Sequence, residues 1–162
     1  MSLSYEASVI FVKDMSVSRA FYEGLLGRTV MADHGENVVY VGGLSLWQAE
    51  RASSIIFGRR RSRKKWGSDN LELYFESDDI DAEFERLQAA GVQLIHEVHE
   101  EPWGQRTFRC RDPDGHIVEV AEPMPQVIQR LSGQGYKPED IVKRTSMPME
   151  LVLQAIGYPR FC

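Results

Sequence analysis

Glu72 and Glu119 are acidic residues set in extended, largely apolar runs, Leu71-Glu-Leu-Tyr-Phe-Glu76 and His116-Ile-Val-Glu-Val-Ala121. Strand alternation gives each a face. Glu72 shares one with Tyr74 and Glu76, opposite Leu71, Leu73 and Phe75; Glu119 shares one with Ile117 and Ala121, opposite Val118 and Val120. A carboxyl on such a face can serve as general acid or base. Two of them brought close resist joint ionisation, so one holds a proton. The plainer alternative is that Glu119 bonds backbone or an arginine and Glu72 is solvated. Trp47, in Gly43-Leu-Ser-Leu-Trp47, offers a flat indole wall for a planar compound, with Tyr74, Phe11 and Trp103 extending it; equally, it fills a core or an interface. Arg106 can anchor an anionic group through its fork of N–H donors, or it pairs with Asp112 or Glu119. His96 and His99 flank Glu97 at a spacing that would suit a metal only on a helix, and this stretch reads as strand and loop. His116 faces away from Glu119 and reads as structural.

The elements that must hold these side chains are written twice. Ala7-Ser-Val-Ile-Phe-Val-Lys-Asp14 leads into a helical stretch through Phe21-Tyr22 to Leu26-Gly27; Glu72-Leu-Tyr-Phe-Glu-Ser-Asp-Asp79 leads into Phe84-Glu-Arg-Leu87 and Ala90-Gly91. Each half ends in a Gly-led strand, at Gly43 and Gly115. Periodicity predicts strands over 5–12, 28–32, 37–41 and 44–49 with a helix over 17–26 capped by Asp14 or Ser16. The second copy predicts strands over 71–76, 92–98, 105–111 and 116–121 and a helix over 79–90 capped by Asp78 or Asp79. Asp112-Pro-Asp-Gly115 is a turn, with Pro presetting φ and Gly taking the positive φ. The order is βαβββ twice, an α+β fold in which neither copy buries its own face alone. Two such modules, 4–50 and 70–122, are expected to close a shared cleft, joined by a basic linker over 51–69.

With these residues, the order resembles the glyoxalase/bleomycin-resistance/dioxygenase (vicinal oxygen chelate) superfamily over residues 4–122. The matching segments are Val12-Lys-Asp14 with Phe21-Tyr22 and Leu26-Gly27, the Glu72–Asp79 run, Pro102-Trp-Gly-Gln-Arg106 and Asp112-Pro-Asp-Gly-His-Ile-Val-Glu119. The resemblance implies four inward ligand positions in metal-bearing members, which correspond here to Ala7, Trp47, Glu72 and Glu119. Ala7 has no donor atom and Trp47 only an N–H, so Glu72 and Glu119 alone remain for a metal. Catalytic zinc wants three protein ligands; magnesium or manganese, held with several waters, asks for fewer. The cofactor expectation is therefore none, or a weakly held divalent cation. On the resemblance, two functions stand. One is a small-molecule-binding protein of bleomycin-resistance type with a degenerate metal site, using Trp47, Tyr74, Phe11, Trp103 and Arg106 for its ligand. The other is a divalent-metal-dependent lyase or isomerase of glyoxalase type, with Glu72 and Glu119 as catalytic groups. A ring-cleaving dioxygenase would want two His and a carboxylate, and no His is inward. The resemblance also implies a homodimer.

A chain of 162 residues with 43% hydrophobic and 27% charged content is that of a globular protein. No apolar run spans a bilayer and no signal pattern opens the chain, so the expectation is no membrane and a cytoplasmic location. Two cysteines, Cys110 and Cys162, make no disulfide framework. The net charge of −5 argues against nucleic acid; Arg59-Arg-Arg-Ser-Arg-Lys-Lys65 reads as a solvated linker. Residues 123–162 read as a helical extension: helices starting at Gln126, broken at Gly133-Gln-Gly135, then Pro138–Arg144 and Met149–Ile156. The last pair resembles a helix-turn-helix, but its second helix carries Glu150 and no Lys or Arg, against DNA.

Overall fold

Asp14 ends the first apolar run by turning its carboxylate back on the chain: Oδ1 accepts from Ser16 N and Val17 N at 2.9 and 3.1 Å, an N-cap that satisfies otherwise unpaired donors. The computed structural model describes residues 4–59 and 66–157. Its chain divides into two compact units, Met1–Asp69 with Asp112–His116, and Asn70–Arg111 with Ile117–Cys162.

In the first unit, β1 (Ser8–Val12) runs parallel to β4 (Leu44–Gln48), which pairs antiparallel with β3 (Asn37–Tyr40), and β3 with β2 (Val30–Asp33), giving the order β1-β4-β3-β2. Helix α1 (Met15–Arg19) follows the Asp14 cap and continues as a π-helical turn, Ala20–Leu25. Leu26 N reaches Phe21 O at 2.9 Å, the longer-period bond of that turn. Ile10, Val12, Phe21, Tyr22, Val38, Tyr40 and Leu46 are buried in this unit. Sequence reading placed a linker from residue 51; instead helix α2 spans Ala49–Phe57 and ends at Gly58, φ 68°. Its buried side is Ala49, Ala52 and Ser53. Small residues there make a close-packed seam rather than the large apolar stripe that announces a helix.

The Asp112–His116 turn belongs to the same unit. Asp112 Oδ1 accepts from Asp114 N and His116 N at 3.0 and 2.7 Å, and Oδ2 lies 2.7 Å from the Tyr22 hydroxyl and 2.9 Å from His116 Nδ1. Lys13 N donates to Asp114 Oδ2 at 3.0 Å. Gly115, at φ 88°, completes the turn and lets Gly67 approach so closely that a Cβ on Gly67 would lie 2.3 Å from Gly115 O.

In the second unit the order is β5-β8-β7-β6, with β5 (Ser68–Glu76), β6 (Leu94–Glu100), β7 (Arg106–Arg111) and β8 (His116–Ala121). Strand β5 begins earlier than its apolar run at Leu71, inside the expected linker. Helix α3 (Ile80–Ala89) is capped by Asp79, whose Oδ1 accepts from Ala82 N at 3.0 Å. Helices α4 (Met124–Gly133), α5 (Pro138–Thr145) and α6 (Met149–Ala155) bury Val127, Ile128, Leu131, Ile141 and Val152 together. Gly133 is the last residue of α4 rather than its breaker. Arg130 ties this cluster to the rest of the unit, reaching Glu122 Oε2 at 2.8 Å, Glu100 Oε2 at 2.9 Å and Gly104 O at 2.5 Å; Arg144 adds an ion pair to Glu100. Residues 60–65 of the basic run and Cys162 lie outside the described residues. Among the described residues, no helix is long and apolar enough to cross a membrane.

Candidate functional site

Counting outward from the Asp112–His116 turn sets the register of the β7–β8 hairpin, and that register places Arg109 directly opposite Glu119. On its other side Arg109 pairs with His96 of β6. The guanidinium reaches across the sheet as a three-way fork: Nε donates to Glu72 Oε2 at 2.6 Å, Nη2 to Glu119 Oε2 at 2.9 Å, and Nη1 to Glu101 Oε1 at 3.0 Å. Nη1 also lies 3.4 Å from His96 Nε2. Glu101 is carried back over the strand by a tight turn, in which Glu101 N donates to Gln105 O and Gly104 N to Glu101 O, each at 2.8 Å. Thr107, two residues from Arg109 on the same face, sets its hydroxyl 2.9 Å from Glu119 Oε1 and 3.0 Å from Val120 O. His99 leans on His96, ring centroids 4.5 Å apart, and its Nε2 stands 3.4 Å from Glu101 Oε1.

The structure therefore brings Glu72 and Glu119 together, through an arginine that sequence reading did not single out. Glu119 is 4% exposed. Burial, followed by its hydrogen bond with Glu72, pushes its carboxyl above the usual range. Burial pushes Glu72 the same way, but hydrogen bonds from Glu119 and Arg109 outweigh it and hold Glu72 below its usual range. The pair thus titrates unequally, Glu72 giving up its proton before Glu119. Arg109 is itself held protonated beyond its ordinary value by its carboxylate partners, against the burial that opposes it.

Arg106, the arginine that sequence reading did single out, points elsewhere. Its Nη1 and Nη2 grip Asp81 of α3 at 2.9 and 2.7 Å, so it pairs with neither Asp112 nor Glu119. Alternation is the reason: Arg106 and Arg109 lie on opposite faces of β7. Tyr74 and Trp103 do meet, through Gln105. Trp103 Nε1 donates to Gln105 Oε1 at 2.9 Å, while Gln105 Nε2 lies 2.9 Å from Tyr74 Oη and 2.7 Å from Glu122 O. Buried Gln105 fixes two half-open rings, and burial with a bond to Glu76 pushes the Tyr74 hydroxyl up to about 12.

In the first unit, Trp47 occupies the repeat position of Glu119, and Phe11 stands beside it edge-on, centroids 6.0 Å apart at 78°. Opposite Trp47 on β3 is Asn37, the repeat position of Arg109. The first copy thus carries an aromatic and an amide where the second carries an ion pair. Ala7, half-buried, precedes β1. A hollow of about 460 Å³ opens in this unit, lined by Trp47, Val9, Ser45, Asn37, His34, Glu36, Arg51 and Ile55.

The divalent ion implied for metal-bearing members does not suit these residues. Both candidate ligands, Glu72 and Glu119, already give an oxygen to Arg109, and a cation set between them would face a fixed positive charge at contact distance. Among the described residues no three His, Cys, Asp or Glu side chains are grouped to hold a metal.

Comparison with known proteins agrees with this architecture. A crystal structure of a protein of unknown function from Agrobacterium tumefaciens str. C58 is 35% identical, covering 76% of this chain and 96% of that one, with a TM-score of 0.70. A glyoxalase-related enzyme from Fulvimarina pelagi is 26% identical over 74% of this chain and 88% of that one, with a TM-score of 0.60. The uncharacterized protein YaeR of Escherichia coli (strain K12) is 28% identical over 123 residues, 70% of this chain and 91% of that protein. Residues 5–125 match the glyoxalase-like domain, and the chain belongs to that family.

Proposed function

We propose that this protein binds and sequesters a small, partly planar compound without a catalytic metal, as a glyoxalase-fold protein of bleomycin-resistance type. The observation that carries the reading is the Arg109 fork. A guanidinium held by Glu72, Glu101 and Glu119 supplies the positive charge that these carboxylates would otherwise take from a metal ion. The half-open rings of Trp47, Tyr74 and Trp103 favour binding by stacking. A metal-dependent lyase or isomerase would require Arg109 to abandon three carboxylates before a cation could enter, leaving the guanidinium to find other partners. The proposal includes a homodimer in the cytoplasm and no nucleic-acid partner.

A thermal-shift screen of aromatic compounds, run with and without magnesium and manganese, tests the reading, since a ligand that binds only the folded state raises its apparent stability by mass action. Planar compounds should raise Tm equally in both conditions. Stabilisation that appears only with a divalent ion, accompanied by turnover, would favour the lyase.

A further inference from the structure

The aromatic wall of the first unit is built with hydrogen-bond donors around it, and we infer that the ligand it takes is a planar organic anion, an aromatic ring bearing a carboxylate. The inference rests on the sequestering function and names the chemical class for its Trp47 side. Arg51 lies in α2, the helix that follows β4. It meets Glu36 through Nε at 3.4 Å, and among the described residues its two Nη groups have no acceptor. Ser45 is 4% exposed and lines the hollow; among the described residues its hydroxyl has no partner either. The indole N–H of Trp47 likewise meets no acceptor among the described residues. Ser45, Trp47 and Arg51, each with a donor that meets no acceptor among the described residues, thus line one hollow of about 460 Å³, the size range of a small-molecule site.

The walls decide the rest of the ligand. Trp47 presents its ring, with Phe11 against its edge, and Val9 and Ile55 expose apolar surface at the rim. A flat apolar body covers this surface, and a carboxylate at one end accepts two parallel bonds from the Arg51 fork. Glu36 is the one acidic group lining the hollow and already competes for Arg51. An anion therefore displaces a weak, exposed ion pair, which costs little. A neighbouring hollow of about 410 Å³ shares Arg51 and Glu36, but it adds Glu50 and has no aromatic wall, so it suits such a ligand less.

Fluorescence and calorimetric titrations with naphthoate and its neutral amide, naphthamide, test the assignment on the full chain. Naphthoate should bind about tenfold more tightly, the value of one charge-assisted interaction. Arg51→Gln should erase that advantage, Glu36→Gln should enlarge it, and Trp47→Phe should weaken both probes. Arg51 and Glu36 are largely exposed, so both variants should fold, which circular dichroism checks. Equal binding of the two probes, or an advantage that survives Arg51→Gln, overturns the anion assignment while leaving Trp47-dependent sequestration standing. Binding of neither probe overturns both.

Discussion

Replacing Arg109 by Met removes the guanidinium while keeping most of the aliphatic stem. Three carboxylates then face one another without a cation, and Glu119, its side chain 6% exposed, is the most deeply placed of them. Breaking a fully buried ion pair by deleting one partner costs about 3–5 kcal/mol. Here Arg109 keeps 23% and Glu72 36% of their side-chain exposure, so solvent screening lowers the expected loss near neutral pH to about 2–3 kcal/mol. In a chain of this size that corresponds to a fall in Tm of roughly 4–12 °C. The sign of the pH dependence follows from the carboxylates. Arg109 stabilises their ionised forms, so its contribution is present above their pKa values and fades as acid protonates them. Because Glu72 is held below its usual range, urea unfolding of wild type and Arg109→Met near neutral pH and again at about pH 3, below the ordinary glutamate range, reads both quantities. The loss should shrink to about 1 kcal/mol or less in acid. A loss below about 0.5 kcal/mol at neutral pH, or one undiminished in acid, would refute the electrostatic account of this sheet face.

Other outcomes follow from the same contacts. Because the Glu119 carboxyl is raised by burial and by Glu72, its folded form holds a proton more tightly than its unfolded form. Its favourable contribution is complete in acid and is lost as pH rises through the folded pKa. Relative to wild type, Glu119→Gln should therefore gain stability as pH climbs from the ordinary glutamate range, measured by Tm across a buffer series. Gln105→Leu leaves Glu122 O, Trp103 Nε1 and Tyr74 Oη without their shared partner; it should cost about 1–3 kcal/mol and shift the Trp103 emission in the folded state. Gly67→Ala, at φ 70° with its Cβ 2.3 Å from a backbone oxygen, should destabilise by more than ~2 kcal/mol and show as lowered soluble expression and Tm.

The two βαβββ copies were legible because their signals are local and redundant: Asp14 and Asp79 cap helices as their positions require, and strands such as β2 and β3 alternate in burial. The paired carboxylates were reached through the repeat. Arg109 does not stand out from Arg106 by residue type, yet its position carries a signal: three steps outward from each end of the Asp112–His116 turn lead to Arg109 and Glu119. Glu101 left no comparable trace, since a turn between β6 and β7, not a periodicity, brings it over Arg109. Helix α2 was lost for a different reason. Its buried side consists of alanine and serine, and its large apolar residues, Ile55, Ile56 and Phe57, are exposed. Arg51, which sits on that helix, went with it.

Manganese binding, followed by the electron paramagnetic resonance of the free ion, bears most directly on the claim that a guanidinium serves these carboxylates in place of a metal. Wild-type protein should leave the free-ion signal undiminished, whereas Arg109→Ala, which frees Glu72, Glu101 and Glu119, should take up about one ion per chain. Stoichiometric uptake by the wild type that disappears in Glu119→Gln would contradict it.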